Sequence, residues 1–282
     1  MPPHLGSLMH HDTLLCLDIE TMPDRQILPA DWPTEKFPPP HCHQIVAISF
    51  VEAEIDRASG VERYRVTECR SGGDLDYDEE RLVRGFWNRF AKMLPRVVTW
   101  NGRGFDLPVL RLRAMVYGVQ VPAWFQTGDK WNGYTQRYQP DYNCDLMEQV
   151  ADYGASQRIG LQDIADLIGL PGKIGGHGSE VADMMARGEL EQVRAYCESD
   201  VLTLFAAYVR WSLLTGRTDP AGHNASVDSL VGCLTRERAN RPHLGAFLDR
   251  WQASTRPVPM HVPVPRSTPI AEPPHLPSEH VL

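Results

Sequence analysis

Four acidic side chains and one tyrosine stand in settings that suit joint chemistry: Asp18, Glu20, Asp106, Tyr196 and Asp200. Asp18 and Glu20 close the run Thr13-Leu14-Leu15-Cys16-Leu17, giving L-L-C-L-D-I-E. Asp106 follows Asn101 in N-G-R-G-F-D-L-P-V-L, and Tyr196 and Asp200 form Y-C-E-S-D inside a long helical pattern. Carboxylates brought together repel one another and raise a pKa unless cations neutralise them. Four of them converging would therefore suit the holding of divalent cations. Oxygen-only ligation favours Mg²⁺ or Mn²⁺ over Zn²⁺.

The elements that must position these groups are legible locally. The run 13–17 is too short for an independent helix and fits a buried strand. Strand side chains alternate, so Asp18 and Glu20 share a face. At a strand's carboxyl end they would project into the crevice where open α/β folds place ligands. Pro23 ends that strand by removing a donor. A D-x-E pair also arises by chance in a chain of ordinary charge content. Residues 96–100 read as another strand and Asn101-Gly102-Arg103-Gly104 as a turn. A helix follows from about Leu107, with Pro108 in its first turn and Gly118 beyond its end. Asp106 then falls at the N-cap, where one oxygen can cap backbone N–H groups while the other faces a metal. On a helix from about Glu189 to Leu214, Tyr196 and Asp200 are four apart and share a face. A buried tyrosine tied to an aspartate explains that pair equally well, and spacing leaves both readings open.

Taken in order, the three motifs resemble the DEDD superfamily of 3′→5′ exonucleases, in the DEDDy subgroup whose third motif carries tyrosine instead of histidine. Within it, the chain is similar to a family of predicted exonucleases related to the proofreading domain of family B DNA polymerases. The likeness rests on D-I-E-T-M-P-D, on W-N-G-R-G-F-D-L-P-V-L, and on G-L-P-G-K-I-G-G-H-G-S-E-V followed by R-A-Y-C-E-S-D-V-L. It runs from about Leu14 to Trp211, with no motif position missing. The resemblance implies metal-dependent hydrolysis of the terminal phosphodiester at the 3′ end of single-stranded nucleic acid, DNA ahead of RNA, releasing nucleoside monophosphates. It implies two divalent ions, which can stabilise the attacking and leaving oxygens of an in-line displacement. Asp18 would bridge both ions, Glu20 and Asp200 would help hold the one that activates water, and Asp106 would act on the leaving-group side. Tyr196 would orient the attacking water. An unperturbed phenol, with a pKa near ~10, is no base by itself.

Several residues are candidates for substrate contact. Thr21 and Met22, directly after the acidic pair, are placed to touch the terminal sugar and base. Asn101 and Phe105 can line the single-strand groove, Phe105 by stacking on a base; a place in the core would explain Phe105 as well. Lys173 sits in P-G-K-I-G-G-H-G, a loop whose N–H groups and ammonium can approach a phosphate, or which merely connects. His177 in the same loop ranks below it.

The resemblance implies an α/β, RNase H-like fold with a mixed central β-sheet flanked by helices. Strand patterns at 13–19, 44–52 and 61–68, a helix near Glu79–Met93, a strand at 96–100 and the helix after Asp106 agree with it independently. Residues 1–11 read as a flexible N-terminus and 12–215 as the exonuclease domain. A short helical extension follows at 216–255, with helices at 226–238 and 242–253. Residues 256–282 read as a proline-rich disordered tail.

The chain has 282 residues, ordinary apolar content at 42% and a formal net charge of −8. That charge opposes broad electrostatic binding to nucleic acid, so weak, salt-sensitive affinity and short runs of digestion are expected. Arg103, Arg111, Arg113 and Arg137 are candidates for a local basic groove. No apolar stretch reaches the 18 residues of a spanning helix, so no membrane partner is expected. Met1-Pro2-Pro3-His4 lacks a signal peptide's charged start and apolar core. Six cysteines without C-x-x-C point to reduced thiols and a cytoplasmic location. His41-Cys42-His43 has no second pair at finger spacing, which argues against structural zinc. A haloacid dehalogenase-type phosphatase would need a second aspartate where Glu20 stands and leaves the other motifs unexplained. An RNA 3′-end exonuclease and a non-catalytic nucleic-acid-binding subunit with the same fold are the remaining alternatives. Protein partners are not indicated.

Overall fold

In the computed structural model, which describes residues 10–33, 35–172, 180–256 and 258–265, the apolar run that carries Asp18 is the middle strand of a sheet. This strand, β1 (Thr13–Pro23), pairs antiparallel with β2 (His43–Asp56), which pairs antiparallel with β3 (Arg63–Ser71). On its other side β1 runs parallel to β4 (Arg96–Thr99), and β4 runs parallel to β5 (Asn143–Asp145). The order is β3-β2-β1-β4-β5, a mixed five-stranded sheet in an α/β arrangement consistent with an RNase H-like domain. Central strands are covered on both faces and need apolar residues at every position; Leu14 to Leu17 are all buried.

Helices cover both faces. On one lie α1 (Glu79–Met93) and α2 (Asp106–Val116), whose Val83, Trp87, Phe90 and Leu110 pack with Leu17, Ile19 and Val97. The short α3 (Pro122–Gln126) adds Trp124 to that cluster. On the other lies α7 (Leu190–Leu214), with Val201, Phe205 and Val209 against Leu14, Cys16 and Val98. The short helices α4 (Leu146–Val150), α5 (Leu161–Ile168) and α6 (Val181–Ala186) precede it. Most of α7 from Tyr196 to Val209 is buried on every side, which explains why its apolar positions do not form one clean stripe. The last helices, α8 (Pro220–Glu237) and α9 (Pro242–Gln252), share the α7 core through Leu230, Leu234 and Phe247. Ser226 and Ser229 of α8 accept hydrogen bonds from the N–H groups of Tyr64 and Val66 at 2.9 Å each. An edge strand is thereby covered rather than left as a template for another chain.

The expected strands are present with shifted ends: β1 and β2 run further, and β3 begins at Arg63. The three-residue β5 is too short to show a period. Helix α2 starts at Asp106 itself, with Phe105 in the N-cap position, so the expectation that Asp106 is the cap is corrected by one residue. Its carboxylate is turned away from the capping role by a partner on β1.

Candidate active site

Strand parity decides what meets Asp18 and Glu20. Leu14 and Cys16 belong to the α7 side, Leu17 and Ile19 to the α1–α2 side. The even positions therefore face α7, which presents Tyr196, Cys197 and Asp200 one helical turn apart. The register on β2 slips just after Glu20, from Glu20 opposite Ala47 to Thr21 opposite Ile45; such a bulge re-aims the side chains around it. Asp106 arrives from the other direction. The ladder between β1 and β4 ends at Cys16 opposite Val98, and beyond it the Ile19 N–H donates instead to Asp106 Oδ1 at 3.2 Å. Three distant segments thus meet midway along β1, past the end of its ladder with β4 and not at its carboxyl end.

Acceptor atoms of Asp18 and Glu20 and the Cys197 sulfur all lie within 4.8 Å of one another. Cys197 Sγ stands 3.5 Å from Asp18 Oδ2. Tyr196, buried at 3% exposure, hydrogen-bonds Asp200. The electrostatics record the crowding. Burial, followed by the charges of Asp106, Glu20 and Asp200, pushes Asp18 well above the usual carboxylate range. Burial lifts Asp106 to about 7, against the opposing hydrogen bonds from its own N–H and from Ile19, with Asp145 adding a further push. Burial and the neighbouring carboxylates also raise the Tyr196 phenol and the Cys197 thiol. A divalent cation would relieve this repulsion, and a carboxylate-oxygen donor set fits a hard ion.

The loop after β4 is held by a residue that sequence reading passed over. Asp145, at the end of β5, accepts the N–H of Asn101 through Oδ1 and that of Arg103 through Oδ2, each at 3.0 Å. Its Oδ1 also caps α4 through the Glu148 N–H. The D-L-M-E spacing, an acid followed three residues later by Glu, is the signal that could have flagged it. Asn101 is left-handed, with φ 62°. A Cβ on Gly102 would lie 2.3 Å from Thr99 Oγ1, so this tight approach requires glycine. The turn thereby delivers Phe105 and Asp106 to β1 just past the end of its ladder with β4.

A cleft of about 360 Å³ opens beside the carboxylates, walled by Asp18, Ile19, Asp106, Trp100, Asn101, Gly104 and Phe105 on one side and by Phe37, Pro38 and Pro40 on the other. Asn101 and Phe105, read as candidates for substrate contact, both line this cleft. Thr21 hydrogen-bonds the His43 ring at 2.9 Å. Met22 packs instead against Val46, Val181, Met184 and Val193. Lys173 and His177 fall outside the described residues.

The four arginines considered for a basic groove all have partners, and Arg103 and Arg137 line, with Arg158, a second cleft beside Asn101 and Gly104. Arg113 is buried, with Asp24 at 3.0 Å and Glu79 at 2.5 Å. Arg137 pairs with Glu148 at 2.7 Å, Arg103 donates to the carbonyls of Gln136 and Asn143, and Arg111 to that of Leu107. Acids and carbonyls close by claim them first. The His-Cys-His stretch is likewise structural: Cys42 is buried, and both His43 nitrogens are hydrogen-bonded, to Thr21 and to the Pro38 carbonyl.

A mixed sheet with acids on its central strand, faced by a buried helix carrying Tyr196 and Asp200, defines an RNase H-like α/β domain. The chain belongs to a family of predicted 3′-5′ exonucleases related to the exonuclease domain of PolB, whose model matches residues 35–251. Asp106, Tyr196 and Asp200 lie within that match. Asp18 and Glu20 precede it and join the site through the pairing of β1 with β2. No curated protein matches the chain. No helix among the described residues is long and apolar enough to cross a membrane.

Proposed function

We propose that this protein is a metal-dependent 3′→5′ exonuclease that hydrolyses the terminal phosphodiester of single-stranded nucleic acid, DNA in preference to RNA, and releases nucleoside monophosphates. The observation that carries the reading is the meeting of Asp18, Glu20 and Asp106 with the Tyr196–Asp200 face of α7, in a chain of a predicted exonuclease family. Asp18, Glu20 and Asp200 would hold one divalent ion, and Asp18 with Asp106 a second, Mg²⁺ or Mn²⁺. When bound, such a pair supplies charge stabilisation to the attacking and leaving oxygens.

The side chains do the positioning. Burial and the adjacent carboxylates raise the Tyr196 phenol; in this reading it orients water as a hydrogen-bonding group and not as a base. Asp106 is fixed by the Ile19 N–H, so the leaving-group side keeps its geometry before substrate arrives. Asn101 and Phe105 line the path of the terminal nucleotide. The catalytic unit is assigned to residues 12–215, with the helical segment 216–255 packed upon it.

The test is digestion of 5′-labelled single-stranded DNA and matched RNA with Mg²⁺, Mn²⁺ or EDTA, alongside Asp18→Asn. The expected result is a ladder shortening from the 3′ end, faster on DNA, and absent with EDTA or in the variant. A faster RNA ladder would reassign the substrate. Binding without any turnover would indicate the non-catalytic alternative.

A further inference from the structure

The cleft has two walls, and only one comes from the motifs. The other comes from the connection between β1 and β2, in the stretch Phe37-Pro38-Pro39-Pro40. Phe37 is 71% exposed, yet its ring is not unsupported. Its centroid lies 5.3 Å from that of Phe105 and 4.9 Å from that of His43, while the His43 ring meets Phe105 edge-on at 4.9 Å. These distances fall in the range of favourable aromatic pairs.

His43 locks the cluster. A carbonyl only accepts, so His43 Nε2–H donates to the Pro38 carbonyl at 3.0 Å, which leaves Nδ1 to accept from the Thr21 hydroxyl at 2.9 Å. Thr21 directly follows Glu20. One imidazole thus ties the proline-stiffened segment to the strand that carries Asp18 and Glu20. Proline restricts the backbone on its own and the preceding residue, so less backbone freedom remains to be lost when a ligand covers Phe37. The exposed ring, the cleft and the carboxylates form one continuous surface. Phe105, by contrast, is half-buried beneath this cluster and acts as its support.

We propose that Phe37 is the platform on which the 3′-terminal nucleobase stacks. The inference rests on the exonuclease reading and deepens it. Stacking on an aromatic ring accepts any base, because every base has a π-face, and adds about 1–3 kcal/mol per base. A cleft of about 360 Å³ lies at the small end of ligand pockets and is of a size for one nucleoside. The protein should therefore prefer single-stranded ends that carry a terminal base over ends that lack one.

The experiment compares 5′-labelled single-stranded DNA ending in an ordinary nucleotide with the same strand ending in an abasic tetrahydrofuran residue. Wild type, Phe37→Ala and Phe37→Trp are each assayed for kcat and KM. Equilibrium binding is measured separately on the Asp18→Asn background by anisotropy of the labelled strand. Wild type should favour the base-bearing end about tenfold, within what one base–aromatic stack supplies. Phe37→Ala should raise KM and Kd for that end by a similar factor, leave kcat within about twofold, and leave the abasic end unchanged. Phe37→Trp should retain the preference. Wild-type 3′ digestion with Phe37→Ala behaving like wild type on both ends would overturn the inference alone. Wild type that neither shortens nor binds any strand would remove the exonuclease reading, and this inference with it.

Discussion

The backbone N–H of Ile19 donates to Oδ1 of Asp106 at 3.2 Å, so the residue between Asp18 and Glu20 is tied to the third carboxylate of the site. The bond stands where the β1–β4 ladder has ended, and it satisfies a donor that would otherwise be buried and unpaired. Asp106 therefore has a structural duty apart from chemistry.

The two duties separate in the choice of substitution. Asp106→Asn keeps an oxygen for Ile19 and removes a charge; Asp106→Ala leaves the N–H without an acceptor, a penalty of about 1–3 kcal/mol. Turnover should be lost in both. In EDTA at pH 8 the asparagine variant should melt above wild type, because repulsion is relieved, and the alanine variant should melt below it. Each 1 kcal/mol corresponds to roughly 2–4 °C for a chain of this size. Equal melting of the two variants would remove the structural role of the bond.

Stability without metal should depend on pH with a definite sign. Asp106 is lifted from 3.8 to about 7 in the fold, and Asp18 is raised as well. Between about pH 4 and 7 the folded chain holds a proton that the unfolded chain has released, so stability falls as pH rises through this window. Thermal melts in EDTA should show that slope, and Asp106→Asn should flatten it. Saturating Mn²⁺ should oppose the slope, because ligation needs the ionised carboxylates. An unchanged slope in Asp106→Asn would assign the dependence to other groups.

Cys197 places a soft donor 3.5 Å from Asp18 Oδ2. Thiolate selects soft ions that an all-oxygen site would hold less well. Cd²⁺ should therefore inhibit wild type at concentrations at least about tenfold below those needed for Cys197→Ser, roughly 1.4 kcal/mol of differential binding. An ultraviolet thiolate-to-cadmium absorption band should appear on titration of wild type and be missing in the variant. With six cysteines in the chain, the difference between the two proteins is the informative quantity. Identical titrations would place the sulfur outside the site's reach.

Asp145 restrains the loop that presents Asn101 and Phe105. Asp145→Ala leaves the backbone N–H groups of Asn101, Arg103 and Glu148 without their acceptor and should cost about 3 kcal/mol or more, at 1–3 kcal/mol for each. Activity should fall with it, since the cleft wall loses its anchor. Asp145→Asn retains an acceptor and should lie between alanine and wild type in a denaturant series read by midpoint. Full wild-type stability in the alanine variant would show that the loop holds itself.

Much of the scaffold was legible because it depends on neighbours in the chain. The helix at Glu79–Met93 follows from its own period and its Asp78 cap. The shared face of Asp18 and Glu20 follows from strand alternation, and that of Tyr196 and Asp200 from the helical turn. The three motifs, read in order, pointed to the family. Local pattern also misled by one residue at Asp106, because its carboxylate answers to Ile19 and not to its own helix.

Tertiary structure decided what stands opposite what. Nothing in the sequence pattern singled out Phe37 in its proline run, yet the chain folds it onto Phe105 and His43 at the cleft. Arg113 reads as a surface cation, yet it is buried between Asp24 and Glu79. Periodicity encodes which face a residue occupies; strand order and register determine the face that meets it, through contacts between residues far apart in the chain. The residue types and their local spacing were written in the sequence, whereas their convergence on the middle of β1 arises from the order β3-β2-β1-β4-β5 and the packing of α7 across it.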